Sequence, residues 1–219
     1  MIETRGLAYA YAGAAPLVLP DASVPQGGTL LLRGPSGSGK STWLALAAGL
    51  LRSATGEVVV AGQPLGALTA GARDTWRARN VGFLPQKLHL SEALTVAENL
   101  ALVYFACGLP ADGAVIARTL DALEVGALAR RRPAQLSGGQ AQRVALARAV
   151  LQNPRVILAD EPSASLDDEA CAVSLGLLRQ CAARLGATLV IATHDARVWQ
   201  ALPQAQVLCL SRVAPERVA

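Results

Sequence analysis

No stretch of this sequence is long and apolar enough to cross a bilayer, although hydrophobic residues make up 52% of it and mean hydropathy is +0.35. Alanine accounts for 43 of those residues, and no span without a charge is longer than Gly6 to Pro20, which is short and broken by glycine and proline. With Arg5 before it and small residues inside it, that span has the look of a secretory signal and nothing more. Concentrated charge is missing too. Twenty basic residues against 16 acidic give +4, but 18 of the 20 are scattered arginines and only Arg130-Arg131-Arg132 forms a run. A nucleic-acid footprint is denser, so no nucleic-acid partner is expected. The four cysteines, Cys107, Cys171, Cys181 and Cys209, contain no CxxC pair, which excludes a zinc site or a disulfide framework and suits free thiols in a reducing cytoplasm. Internal repeats and low-complexity linkers are absent, and 219 residues fit one domain, 1–219.

What is present is an alternation of short apolar runs with helical stretches, the order of an α/β protein with a largely parallel sheet. Thr29–Leu32 leads into a glycine-rich turn, Asn80–Leu84 stops at Pro85-Gln86, Val156–Ala159 at Asp160-Glu161 and Leu189–Ala192 at Thr193-His194. Runs apolar at every position read as strands buried on both faces, and open parallel sheets bind ligands beyond the carboxyl ends of their strands. The polar endings are therefore expected to line one crevice. Residues 87–151 read as a helical subdomain, with helices over Ala93–Cys107, Ala111–Leu123 and Ser137–Leu151, inserted into a sheet-based core made of 1–86 and 152–219. Alternation around Gly56–Val60 predicts an extra β layer within about the first 60 residues. The Arg/Val/Ala tail after Leu210 is expected to be loosely held.

Gly34-Pro35-Ser36-Gly37-Ser38-Gly39-Lys40-Ser41 satisfies G-x-x-x-x-G-K-[ST], directly after an apolar strand and before a helical run from Thr42 to Leu51. The glycines let the backbone curl so that successive N–H groups face phosphate oxygens, and the helix behind adds its positive end. Lys40 is expected to reach the β- and γ-phosphates and the Ser41 hydroxyl to ligate Mg²⁺. A glycine turn capping a helix is the plainer alternative. Asp160-Glu161, after four apolar residues, reads as the acidic strand end of the same site: Asp160 holds the hydrated metal and Glu161 polarises an attacking water. Gln86 and His194 are single residues, and only their positions at strand ends raise them above ordinary polar positions.

Leu136-Ser137-Gly138-Gly139-Gln140 lies 20 residues before the acidic strand and opens the helix leading to it. Two glycines at a helix N-terminus, behind a serine able to cap it, make a second anion site of bare N–H groups. With this element the chain resembles, over nearly its whole length, the nucleotide-binding subunit of an ABC transporter. The resemblance implies a P-loop NTPase, RecA-like core with an N-terminal antiparallel β layer and an inserted helical signature subdomain. It implies ATP and Mg²⁺, with Tyr11 stacking on adenine and Gly34 to Thr42 binding phosphates. Gln86 would sense Mg²⁺ and the membrane partner, Ser137, Gly138, Gly139 and Gln140 would form the signature, and Asp160 and Glu161 would be the acidic pair. Ser163-Ala164-Ser165-Leu166-Asp167 would cross the dimer interface, and His194 would switch on the γ-phosphate. Two copies would sandwich two ATP head to tail. Tyr9 stays open as the alternative adenine platform, since side chains two apart share a strand face. Under this resemblance the amino-terminal span becomes the first strands of the β layer.

A short single cassette with Ala159-Asp160-Glu161-Pro162 is most similar to the ATPases that serve lipoprotein-release, macrolide-export and cell-division permeases. Ser163-Ala164-Ser165 departs from the Thr-Gly-Asn usual there, which leaves a different exporter, an importer or ATP-driven signalling through a membrane partner open. Long heptad coils, the mark of chromosome-maintenance and repair ATPases of the superfamily, are absent between Lys40 and Asp160. The resemblance places the chain peripherally on the cytoplasmic face of the inner membrane, held by a separately encoded permease. The docking surface is expected between the sheet core and the helical insert, just after Gln86, where Leu88, Leu90 and Leu94 are apolar, with packing inside the helical subdomain as the other reading of those leucines.

Overall fold

A computed structural model describes residues 1–164 and 166–211. The chain runs β1 (Ile2–Tyr9), β2 (Leu17–Val18), β3 (Ala22–Val24), β4 (Thr29–Arg33), α1 (Lys40–Ala47), β5 (Thr55–Val60), β6 (Gln63–Pro64), α2 (Ala70–Asn80) and β7 (Val81–Leu84). Then follow α3 (Val96–Ala106), α4 (Gly113–Ala122), α5 (Gly138–Val150), β8 (Val156–Asp160), α6 (Asp168–Leu185), β9 (Thr188–Thr193), α7 (Ala196–Ala201) and β10 (Gln206–Cys209). The helices start where short polar side chains satisfy free N–H groups: Thr69, Thr95, Asp112, Ser137, Asp167 and Asp195 each accept from the first turn of the helix behind. Thr95 with Glu98, and Ser137 with Gln140, close reciprocal capping boxes.

Two sheets result. β2-β1-β5-β6, with β3 also on β1, is antiparallel; β10-β4-β9-β8-β7 is parallel throughout. The parallel strands show why their runs are apolar at every position. Leu31, Ile157, Ala159, Leu189 and Ile191 face a core built with α3 to α7, while Leu30, Leu32, Val156, Leu158, Val190 and Ala192 face a second core with α1 and the antiparallel layer. Alternate residues thus serve opposite faces, and both faces are covered.

The P-loop, mixed α/β fold is the one expected, with three differences in its parts. α2 was not anticipated, because none of its residues is buried and no apolar stripe announces it. β10 was not anticipated either, because it is an edge strand, mostly exposed, and lacks the buried pattern. α1 ends at Ala47 rather than Leu51, where Gly49 turns the chain with φ +67°. Of the segment after Leu210, only Ser211 is described, so the expectation for that tail lies outside the described residues, as does Ser165.

Candidate active site

The phosphate loop leaves the carboxyl end of β4 and enters α1 through Gly39, whose φ of +96° suits glycine, and where a Cβ would come within 2.6 Å of Leu17 Cδ2. Gly34 is as constrained, since a Cβ there would meet the Leu210 carbonyl and Ser38 Oγ. Lys40 is buried, and its ammonium donates to the carbonyls of Gly34 (2.8 Å) and Pro35 (3.2 Å), folding the loop back over the helix start. No side chain caps α1.

Two parallel strands end beside this loop. Asp160 closes β8, and burial pushes its carboxyl above the ordinary carboxylate range, an effect opposed by a hydrogen bond from Ser41. Asp160 Oδ1 is buried without a partner among the described residues. Glu161 follows in the left-handed region, φ +48°, unusual for a residue with a side chain. The neighbours hold it there. Its N–H donates to the Ala192 carbonyl (2.8 Å), and its carboxylate accepts from Thr193 Oγ1 (2.9 Å) and lies 2.8 Å from His194 Nδ1 and 3.7 Å from Lys40 Nζ. Glu161 is buried, whereas the His194 side chain is 72% exposed.

One cavity of about 470 Å³, within the usual range for small-molecule sites, is lined by Tyr11, Leu17, Ser36, Gly37, Gly39, Lys40, Ser41, Thr42, Gln86, Asp160, Glu161 and His194. The endings of β7, β8 and β9 meet there with the loop after β4. Gly34 and Pro35 border an adjoining cavity with His194, and Ser38 is buried. Tyr11 is not on a strand face shared with Tyr9, because β1 ends at Tyr9. The two rings meet edge to face at 4.7 Å; Tyr9 packs toward the core, while the Tyr11 hydroxyl shares a 2.8 Å hydrogen bond with Thr42 Oγ1 on the cavity wall.

The signature residues lie elsewhere. Ser137 Oγ accepts from the Gln140 N–H, and Gln140 Oε1 accepts from the Ser137 N–H, so both side chains cap α5. Gly138 starts that helix; Gly139 lines a separate cavity of about 250 Å³ with Arg143 and Asp167. Asp167 caps α6 by accepting from the Ala170 N–H. Within one chain, the signature and the phosphate loop therefore open onto different cavities.

The leucines after Gln86 are not a free surface. Leu88 and Leu90 pack against the core shared with α3 to α6, and Arg148 of α5 donates to the carbonyls of Leu88 (2.5 Å) and His89 (2.8 Å). Packing inside the helical subdomain, the other reading of these leucines, is thus what their contacts show, with Leu94 half-buried beside them. Asn99, fully buried, accepts from the Ser91 N–H and donates to the carbonyls of Ser91, Leu94 and Thr95. Sequence reasoning gave Thr193 only as a polar strand ending and Ser163 only as part of the interface loop, and it missed Asp195 and Arg197, which join Ser163 in a cluster no motif announces.

Residues 20–164 match the family model described as ABC transporter. The chain is 41% identical over 205 residues to the lipoprotein-releasing system ATP-binding protein LolD of Anaeromyxobacter dehalogenans, covering 90% of this chain and 85% of that protein. It is also 41% identical to the methionine import ATP-binding protein MetN of Cupriavidus necator, over 90% of this chain but 59% of the relative. The macrolide export protein MacB 1 of Aeromonas hydrophila, again 41% identical, is matched over 80% of this chain and 27% of its own length. Among solved structures, the dimeric ABC transporter cassette MJ0796 superposes with a TM-score of 0.84 at 31% identity, over 96% of this chain and 94% of that one. Its post-hydrolysis state, bound to ADP and Pi, gives 0.83 at 29% identity, over 98% and 97%. A phosphate loop, an acidic strand end and a capped glycine pair on one such scaffold have a single family reading: the chain belongs to the ABC transporter ATP-binding proteins and is an ATP-hydrolysing cassette.

Proposed function

We propose that two copies of this chain close head to tail over two MgATP and drive a separately encoded permease from the cytoplasmic face of the inner membrane, in export or lipoprotein release. The observation that carries the dimer is the separation of two anion-suited elements: the phosphate loop lines one cavity and the signature another, so a second copy is needed to bring a signature to each phosphate loop. The dimeric MJ0796 cassettes support it. Lys40 binds the transferring phosphate, Tyr11 offers its ring to adenine, Glu161 orients and polarises the attacking water, and His194 reads the γ-phosphate from the rim. Asp160, with an unpartnered buried oxygen, and Ser41 and Gln86 beside it supply the hard oxygen donors that suit Mg²⁺, which would neutralise charge on the phosphates.

Among the described residues no helix is long and apolar enough to cross a membrane. A permease would meet this cassette through a surface contact, and a groove between α2 and α3 fits it. It is lined by Arg77, Phe83, Leu102, Val103 and Arg148, and by Gln152, whose Nε2 is buried without a partner among the described residues. Leu102 and Phe105 on α3 are 43% and 85% exposed beside it. The equal identity to a methionine import ATPase supports a second reading, an importer motor.

Glu161→Gln tests the sandwich. The amide keeps the shape and loses the basicity, so hydrolysis should slow by several orders of magnitude while MgATP stays bound. Gel filtration of the variant in MgATP should then show a persistent dimer. A variant that binds ATP and stays monomeric overturns the head-to-tail arrangement.

A further inference from the structure

The hydrolytic corner is tied to the turn that follows it by a chain of hydrogen bonds outside the motifs. Thr193 Oγ1 donates to Glu161 Oε2 at 2.9 Å and accepts from the Asp195 N–H at 3.0 Å. Asp195 Oδ2 accepts from Ser163 Oγ at 2.7 Å. Thr193 and Ser163 are buried, so these polar contacts are shielded from water and strengthened by it. Arg197 completes the circuit. Its Nε and Nη2 grip the Asp195 carboxylate at 3.1 and 2.7 Å, and its Nη1 reaches the Leu166 carbonyl at 3.2 Å and Asp168 Oδ1 at 2.7 Å.

Capping alone does not call for this side chain. Asp195 caps α7 by accepting from the Arg197 backbone N–H, which any residue at that position supplies. The pair with Asp168 is too exposed to add much, its carboxylate being 92% accessible. What only a planar fork of five donors can do is hold Asp195 and the Leu166 carbonyl together. Asp195 is one residue beyond His194, and Leu166 one before Asp167.

We propose that Arg197 is a positioning residue for ATP hydrolysis, locking the turn at Ser163 and Leu166 to the strand end that carries Thr193 and His194, and thereby fixing the Glu161 carboxylate. The assignment rests on the reading of Glu161 as the residue that polarises water. The Arg197 side chain bonds Asp195, Asp168 and the Leu166 carbonyl and none of the residues assigned to the phosphates or the metal, so it acts on turnover and not on binding.

Arg197→Ala, Arg197→Lys and Glu161→Gln are compared for kcat, for KM with MgATP and for melting temperature. The expected result is that Arg197→Ala lowers kcat by about tenfold or more with KM within about twofold, the pattern of an interaction needed only in the transition state. Lysine keeps the charge beside Asp195 but makes a point contact, so Arg197→Lys should regain the melting temperature and not the rate; this variant carries the test if the alanine chain does not fold. Two outcomes overturn the proposal: kcat within about twofold of wild type in Arg197→Ala, or full recovery of both quantities in Arg197→Lys, which would reduce the role to charge balance. Wild-type turnover in Glu161→Gln would instead overturn the reading beneath it, a result distinguishable because it does not involve Arg197.

Discussion

Lys40 does two jobs that a single substitution separates from the rest of the chain. Buried against the Gly34 and Pro35 carbonyls, it shapes the loop and brings the charge that a polyphosphate requires. Lys40→Ala should therefore abolish both ATP binding and hydrolysis. In wild type, MgATP at a hundred times its Kd should add about 2.7 kcal/mol to stability, a rise of about 5–10 °C in Tm, and the variant should show none of it. Asp195 offers a pH test. Hydrogen bonds from the Arg197 side chain hold its carboxyl far below the ordinary carboxylate range. A carboxyl depressed in the folded state adds stability above its unfolded value, near 4, and loses it as pH falls further. Wild type should thus lose Tm below about pH 4 more steeply than Asp195→Asn, when both are melted across the acid range.

Among the elements, the segment between β7 and α3 shows how an irregular stretch is held without secondary structure. Asn99 satisfies four backbone groups from within α3, and Arg148 satisfies two more from α5. Removing the amide leaves buried partners unpaired, so Asn99→Ala should cost about 2–4 kcal/mol, measured by denaturant unfolding. Leu90→Glu, which puts a charge against the packed core, should lower stability by a few kcal/mol and depress hydrolysis as well. α5 and the parallel strands β4, β7, β8 and β9 were legible in the sequence because a capping serine and apolar runs are local signals. α2 and β10 were not: one has no buried residue and the other lies at an edge, so neither carries the apolar pattern from which elements are read.

For the whole molecule, the proposed permease surface is the feature most open to test. Phe105, 85% exposed, has no structural reason to be apolar, whereas a partner helix in the α2–α3 groove would cover it. Phe105→Ser should release the chain from the permease in co-purification while basal ATPase rate and Tm stay close to wild type. Retained association would move the docking site elsewhere. The motif residues and the class of fold were determined by sequence alone, because G-x-x-x-x-G-K-S, the acidic pair after an apolar run and the capped glycine pair are contiguous and their chemistry is local. Their grouping was decided by tertiary structure. Parallel pairing of β4, β9, β8 and β7 brings Lys40, Gln86, Glu161 and His194 from distant positions to one cavity wall, and it leaves the signature on another. The same pairing packs Leu90 inward and ties Arg197 to the turn after Glu161. Contacts of that kind depend on which strand ends become neighbours, a property of the assembled sheet that no local pattern encodes.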